Sequence, residues 1–442
     1  MKNLYIITLS LTILVASSCE KLEQEPPKLQ SASSLTEYSS VLNAAYYYQL
    51  GAVTPMAVMG DFRADNAYMD EAPYTEFDVF GPNLISMEDQ FFGPFYTALY
   101  KSILSANNVI ENSKSPNEVG EARFLRALSY FKLVQVFGDV SVNLEPIPNP
   151  SDKSILPRQA ASSVYNNVII PDLQAAIGVL SPQIEDGRAS KLAAQGLLGK
   201  VYMHLGDFFN AELQLAEVVN NAAAAGVSLQ GNFADIFGES NDLNSEILFA
   251  TQINSSINDE YGFSDFWVWY AGLDTKSLTP IDPNEGPTII AAFDASPGDL
   301  RRDITIDTAS LASPKFPQTG GPDHDWIELR LADVILLYAE ALNENGATPA
   351  VSLAQLDAIR LRAGLNPLDP NVIDTQAKVR EAIYAERRLE LAFEGHRWFD
   401  LVRTGTVDAA MGQTVNPNYY LFPIPVSEVL ASFNVITQNP GY

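Results

Sequence analysis

Between Asp259 and Tyr270 the chain reads DEYGFSDFWVWY, which places Tyr261, Phe263, Phe266, Trp267, Trp269 and Tyr270 among acids and a glycine. Two of the four tryptophans fall in this one stretch. Flat rings pack against the C–H faces of sugars, while Asp, Asn and Arg side chains bond hydroxyls. The stretch therefore has the composition of a saccharide platform. If it is extended, alternation puts Trp267 and Trp269 on one side. The same composition also suits the core of a loop or a protein interface. A second candidate is Gly60 to Tyr74, which offers Arg63, Asp65, Asn66 and Tyr68 on a long loop beside aromatics. These residues fit either ligand contact or a salt-bridged loop anchor.

Catalytic chemistry has less support. His204, His324 and His396 are far apart, and each is expected on or beside a helix as a packing histidine. No nucleophile elbow, phosphate loop or zinc-ligand spacing occurs, so neither a metal nor a cofactor is expected. Acids are plentiful, but nothing singles out one carboxylate pair for glycoside hydrolysis. The run ERRLELAFEGHRWFD packs Glu386, Arg387, Arg388, Glu390, Glu394, Arg397 and Asp400 onto a helix that must also bury Leu389, Phe393 and Trp398. Arginine forks match carboxylates in pairs, so this density predicts an internal ion-pair network rather than a ligand site.

These residues need a scaffold, and the periodicity supplies helices. In Leu192 to Ala225 two helical patterns meet at Gly206-Asp207, the second with an apolar face through Leu213, Ala216 and Val219. Leu198-Gly199, Tyr202 and Ala211 resemble the tetratricopeptide spacing, with small residues where two helices would approach closely. One such hairpin cannot bury its own face, so others must stack on it. Partners are expected at 35–49, 95–111, 118–137, 160–180 (bent by Pro171), a stripe from Trp326 through Leu331, Ile335, Tyr338 and Leu342, then 351–361 and 375–393. Two long irregular segments, 51–92 and 226–325, interrupt them, with β-prone pieces at Glu246 to Gln252 and Thr288 to Phe293. Structureless stretches of that length inside a compact chain are usually functional. The expected fold is mostly α: about eight helices in four hairpins plus a loop-rich half with a few short strands.

The chain has 442 residues, 47% of them apolar, with 27 basic against 54 acidic side chains and a formal charge of −27. That field repels a nucleic acid, and no basic stripe offsets it. At the amino terminus, Lys2, an apolar run from Leu4 to Val15 and the small residues Ala16-Ser17-Ser18 precede the single cysteine, Cys19. The run is short for a membrane span, and the pattern reads as a cleaved leader. Its end resembles a bacterial lipobox, in which Cys19 becomes the lipidated first residue. Residues 1–18 are then a leader, 19–34 a polar tether, and 35–225 and 226–442 two regions expected to pack as one globular unit.

Five separated stretches resemble the SusD/RagB lipoproteins: GEARFLRALSYFKLVQVFGDV (120–140), RLADVILLYAEALNENG (330–346), ERRLELAFEGHRWFDLVR (386–403), LFPIP (421–425) and the terminal NPGY. Their order and spacing fit the whole mature chain. The resemblance implies four tetratricopeptide-like units, a palmitate-bearing anchor on the outer membrane facing the cell exterior, and capture of a glycan. It also implies a partner, a SusC-like TonB-dependent transporter, and no catalysis. The alternatives are a protein-interaction scaffold, or a binder of peptide or another non-sugar nutrient in the same complex. Arg63-x-Asp65-Asn66 matches a short family pattern close to residues that contact glycan in some members. Many members carry a tryptophan before the helix near Phe95; here Phe91, Phe92 and Phe95 stand instead.

Overall fold

The computed structural model describes residues 37–69, 71–149, 152–272, 278–279, 288–317 and 323–442. The leader, Cys19 and the tether lie outside them. Helix starts follow local chemistry. Ser115 Oγ accepts the Glu118 amide at 3.3 Å, Ser190 Oγ the Ala193 amide at 3.1 Å, and Asp207 Oδ1 the Asn210 amide at 3.2 Å. Each satisfies an amide that the first turn would leave unpaired. The principal helices are α1 (Ser39–Tyr47), α2 (Gly93–Asn112), α3 (Pro116–Phe137), α4 (Ile170–Val179), α5 (Lys191–Leu205), α6 (Phe208–Asn221), α7 (Ile289–Asp294), α8 (Leu331–Glu344), α9 (Gln376–Glu390), α10 (Arg397–Thr404) and α11 (Val407–Met411).

Successive helices pack on one another: α1 on α2, α2 on α3, α3 on α4, α4 on α5, α5 on α6, α6 on α8 and α8 on α9. Residues Ser39–Tyr442 form one compact unit. The hairpin α5–α6 closes tightly because Gly199 faces Leu215; a Cβ on Gly199 would sit 2.5 Å from the leucine side chain. The buried face of α6 is Ala211, Leu215 and Val218, not the expected Leu213, Ala216 and Val219 line, and Leu213 is exposed. The i, i+4, i+7 spacing holds, but turned about the axis so that Leu215 meets the glycine. Helix α8 is buried on almost every side, because both α6 and α9 cover it; Tyr338 alone of the expected stripe stays half-buried.

The described strands are short and form three two-stranded antiparallel ladders: β1 (Tyr68–Met69) with β5 (Leu278–Thr279), β2 (Val140–Ser141) with β3 (Arg158–Gln159), and β4 (Ile247–Thr251) with β6 (Trp326–Arg330). In the third, Ile247 faces Arg330 and Thr251 faces Trp326. The β-prone reading of 246–252 thus holds. Thr288 to Phe293 is helical instead: Thr288 Oγ1 caps α7 by accepting the Ala291 amide at 3.2 Å. The segment begun at Trp326 is strand for five residues before α8 starts. The expected irregular stretch from Gly51 is helical through Phe62, as a 3₁₀ turn, a short α-helix Val53–Ala57 and a wide turn Val58–Phe62. Alanine, valine and methionine buried there outweigh Gly51, Pro55 and Gly60. The helical run Ala161–Val179 is interrupted by a wide turn at Tyr165–Ile169, directly before Pro171 in the first turn of α4.

Candidate functional site

The charged run at the end of α9 pairs internally. Arg330, at the end of β6, donates to Glu394 Oε2 and Glu390 Oε1 at 2.7 Å each and to Glu246 Oε1 at 2.9 Å. Arg301 donates to Glu390 Oε2 at 2.9 Å and Asp299 Oδ2 at 2.7 Å. Arg362 bridges Glu246 and Glu390, and Lys315 Nζ meets Glu394 Oε1 at 2.8 Å. Arg301 Nη1 also meets Glu386 Oε1 at 2.7 Å, and Arg360 pairs with Glu386 at 2.7 Å, so five cations and five carboxylates balance, all but Arg360 with at most 3% of the side chain exposed. Burial pushes Glu390 upward, but Arg362, Arg330 and Arg301 together hold it well below the carboxylate range. The network fixes the last turn of α9 and the turn after it, and so sets where Arg388 and Arg397 point.

A second lock joins the 58–66 segment to that turn. Gly60 lies against Gly395 so closely that a Cβ on Gly60 would be 2.2 Å from the Gly395 carbonyl oxygen. Gly395 itself has φ +73°, a region that side chains rarely adopt. Beside this contact, Asp61 Oδ2 accepts the Gly395 amide at 2.8 Å and the Tyr270 hydroxyl at 2.9 Å. Burial raises the Asp61 carboxyl to about 7, against the lowering effect of those two donors.

Four residues beyond Asp61, Asp65 reaches the arginines. Arg397 grips it with two bonds, Nε to Oδ1 at 2.6 Å and Nη2 to Oδ2 at 2.9 Å. Arg388 donates Nη2 to the Asp65 carbonyl at 2.8 Å and Nε to Asn66 Oδ1 at 3.0 Å, with Nη2 also 3.0 Å from Asp65 Oδ2. Burial pulls Arg388 down to about 10, Asp65 opposes that, and Arg397 adds to it. These residues edge a cleft of about 440 Å³ walled by α7, α9, α10 and α11. Its lining is largely small and apolar, including Ala292, Ala295, Ala410 and Leu401, with Tyr384, Thr404 and Thr406 as polar points.

The sequence-predicted residues separate into two groups. Asp65 and Asn66 edge the cleft, and Tyr68, Tyr261 and Trp267 are half-buried. Tyr261 belongs to a ledge with Tyr47, whose ring centroid lies 6.4 Å away, and with Lys101, whose Nζ lies 5.6 Å above it and 3.0 Å from Glu260. The remaining four are core, which corrects the expected platform. Phe266–Tyr270 is one 3₁₀ turn, not a strand, so Trp267 and Trp269 do not share a face. Trp269 is buried edge-on against Tyr74 and Phe91. Phe266 packs on Phe316 and Trp326, and Tyr270 on Phe62 and Phe393. Arg63 is fully buried. It donates to the Phe77 and Tyr419 carbonyls and lies 4.2 Å from the Phe80 ring centroid. Burial lowers it to about 10. It anchors the loop.

His204 and His396, far apart in sequence, line one small buried cavity with Lys200 and Asp400, while His324 lies elsewhere. His204 and His396 are held neutral by burial, lowered to about 3 and about 4, and His324 Nε2 lies 2.8 Å from the Pro317 carbonyl. No cluster of metal-ligating side chains occurs among the described residues. The sequence reading missed that Arg388 and Arg397, assigned to the internal network, also face a cleft. The alanine lining carries no sequence signal.

Comparison with known proteins agrees with this architecture. A family model described as SusD family matches residues 309–419, and another, described as starch-binding associating with outer membrane, matches 18–203. The SusD-like protein P2 of Formosa agariphila is 26% identical over 99% of both chains. A solved structure of a laminarin binding SusD-like protein superposes with a TM-score of 0.74 at 28% identity, covering 92% of this chain and 99% of that one. This chain belongs to the SusD/RagB family. The starch-binding protein SusD of Bacteroides thetaiotaomicron is a further relative, 22% identical over 78% of this chain and 76% of its own. The mostly helical SusD-like fold is thereby established. Within that frame, the Asp65–Asn66 edge and the last helices of this SusD/RagB chain form the cleft.

Proposed function

We propose that this protein is a lipid-anchored glycan-binding protein of the cell surface. It captures an oligo- or polysaccharide and passes it to a SusC-like TonB-dependent transporter, with no catalysis of its own. The observation that carries the reading is the cleft edged by Asp65 and Asn66. It combines a small-residue apolar floor for sugar C–H faces with fixed polar groups for hydroxyls, and its edge is held rigid by Asp61, Gly60–Gly395 and the buried ion network. Relatives described as binding starch and laminarin support a saccharide, and a family model described as associating with the outer membrane supports the location. Within the reading, Cys19 carries the lipid, residues 19–34 are the tether, and Tyr68, Tyr261 and Trp267 extend the contact surface beyond the cleft.

Titration calorimetry of the purified protein against starch, laminarin and acidic oligosaccharides tests the capture step. Saturable heat with at least one glycan and no new reducing ends supports the reading. Turnover in the purified protein refutes it, as does binding to none of the panel. Co-purification of a TonB-dependent transporter with the tagged protein is expected from the native membrane. Cys19→Ser should release the protein from the membrane fraction.

A further inference from the structure

His396 is a wall common to the cleft and to the small cavity it shares with His204. Lys200 Nζ lies 3.1 Å from His396 Nδ1 and donates to Asp333 Oδ2 at 3.0 Å. An ammonium only donates, so Nδ1 is the acceptor and the proton of the neutral ring sits on Nε2. The ring is neutral near pH 7, because burial, helped by Lys200, lowers it to about 4. Lys200 lines the small cavity and not the cleft, so the Nδ1 edge faces the cavity and the cleft meets the rest of the ring. Nε2–H has no hydrogen-bond partner among the described residues, and it is not sealed from solvent. It is an unspent neutral donor on the cleft wall.

The acceptors around it are spent. Both Asp65 oxygens accept from Arg397, at 2.6 and 2.9 Å. Asp400 Oδ1 accepts from Arg403 at 2.8 Å and Oδ2 from Arg387 at 3.0 Å. Asn66 Oδ1 accepts from Arg388 at 3.0 Å, and the Thr404 and Thr406 hydroxyls lie 2.8 Å from each other. A sugar hydroxyl bonded to His396 would still carry a hydrogen in need of an acceptor, and leaving it unmade away from water is costly. A carbonyl oxygen accepts and carries no hydrogen. A methyl group beside that carbonyl packs on the alanines of the floor.

We propose that the cleft seats an acetyl group of the captured glycan, its carbonyl oxygen on His396 Nε2–H and its methyl on the alanine floor. Lys200 is the positioning residue that holds the imidazole in the required tautomer. This rests on the glycan-capture reading and names the ligand class, a sugar acetylated on nitrogen or on oxygen.

The test is titration of the detergent-solubilised full-length protein with three neutral probes: cellotetraose, chitotetraose, which carries acetamido groups in place of hydroxyls, and partly O-acetylated cellotetraose. At least one acetylated probe is expected to bind about tenfold tighter than cellotetraose, and which one does so tells amide from ester. His396→Ala should erase that preference, and His396→Gln, whose side-chain amide can donate in place of Nε2–H, should keep most of it. Nitrogen NMR of the ligand-free protein should show the His396 proton on Nε2, and Lys200→Met should mix the two tautomers and weaken the preference. A proton on Nδ1 in the parent overturns the proposal. Should His396→Ala melt below the working temperature, Ala292→Phe, which narrows the cleft without touching the imidazole, should block the acetylated probe instead. Cellotetraose binding as well as the acetylated probes, or starch or laminarin binding while none of the three does, overturns the proposal and leaves glycan capture standing. A preference that neither His396→Ala nor Ala292→Phe alters overturns the cleft as the place. Binding of no probe, and of neither starch nor laminarin, overturns both.

Discussion

Replacing Glu390 by glutamine keeps the shape of the side chain and removes one charge from the buried network. Glu390 takes bonds from Arg330, Arg301 and Arg362, and its side chain is fully out of water. The five-against-five balance becomes five against four, so a guanidinium charge is left uncompensated in the interior. Breaking a buried pair in this way costs about 3–5 kcal/mol, most of it the unpaired charge left behind. At about 2.1 cal/mol/K per residue, a unit of roughly 400 residues unfolds with about 0.85 kcal/mol/K, so Tm should fall by about 4–6 °C. Scanning calorimetry reads this directly. The loss should persist in about 0.5 M salt, because ions do not screen a buried pair, whereas any loss from Lys101→Ala at the exposed Lys101–Glu260 pair should stay within about 1 kcal/mol and vanish there. An unchanged or raised Tm in Glu390→Gln would show that the network is not charge-balanced as described.

Trp269→Ala should cost about 3–5 kcal/mol, because it empties a site packed by Tyr74, Phe91 and Phe62, while Trp267→Ala should cost clearly less; equal denaturant midpoints for the two would refute the assignment of core and surface. Gly60→Ala should destabilise strongly or prevent folding, since its Cβ has only the Gly395 backbone to move; a melting temperature within a degree of the parent would contradict that contact. Asp61 titrates at about 7 in the fold against an ordinary 3.8, so the stability it contributes is complete below about 4 and is lost as pH rises through 7. The Tm of Asp61→Asn relative to the parent should therefore climb between pH 5 and pH 8, by at most the equivalent of about 4 kcal/mol; a difference flat with pH would refute the raised carboxyl.

The sequence pattern carried the long helices because their signals are local. Caps at Ser115, Ser190, Asp207 and Thr375 and buried residues at three- and four-residue spacing are readable without a partner. The internal pairing of Glu386 to Asp400 was readable too, since so many charges on a buried helix must meet each other. What failed depended on contacts distant in sequence. Residues 266–270 read as an alternating strand, but burial against Phe316 from beyond and Phe62 from before made them a turn. Arg63 read equally as a ligand contact or a loop anchor, and only carbonyls 14 and 356 residues away make it the anchor. Asp65 and Asn66 were placed at the edge of a cleft only by Arg388 and Arg397, more than 320 residues later. The floor of that cleft is alanine, which looks the same in any helix.

The distribution of charge has a kinetic consequence. Buried pairs such as Arg126–Asp172, Lys132–Glu328 and Arg403–Glu340 are neutral, but they withdraw cations from the surface. The formal charge of −27 is therefore displayed mainly by exposed acids. An anionic ligand would approach against that field. Screening, with a Debye length of about 10 Å at 0.1 M, weakens the long-range repulsion, so its association should speed up as salt rises from 0.01 to 0.15 M. A neutral oligosaccharide should show no such effect. Stopped-flow association at several salt concentrations separates the cases, and an anionic probe whose association slows with salt would refute an acid-dominated surface.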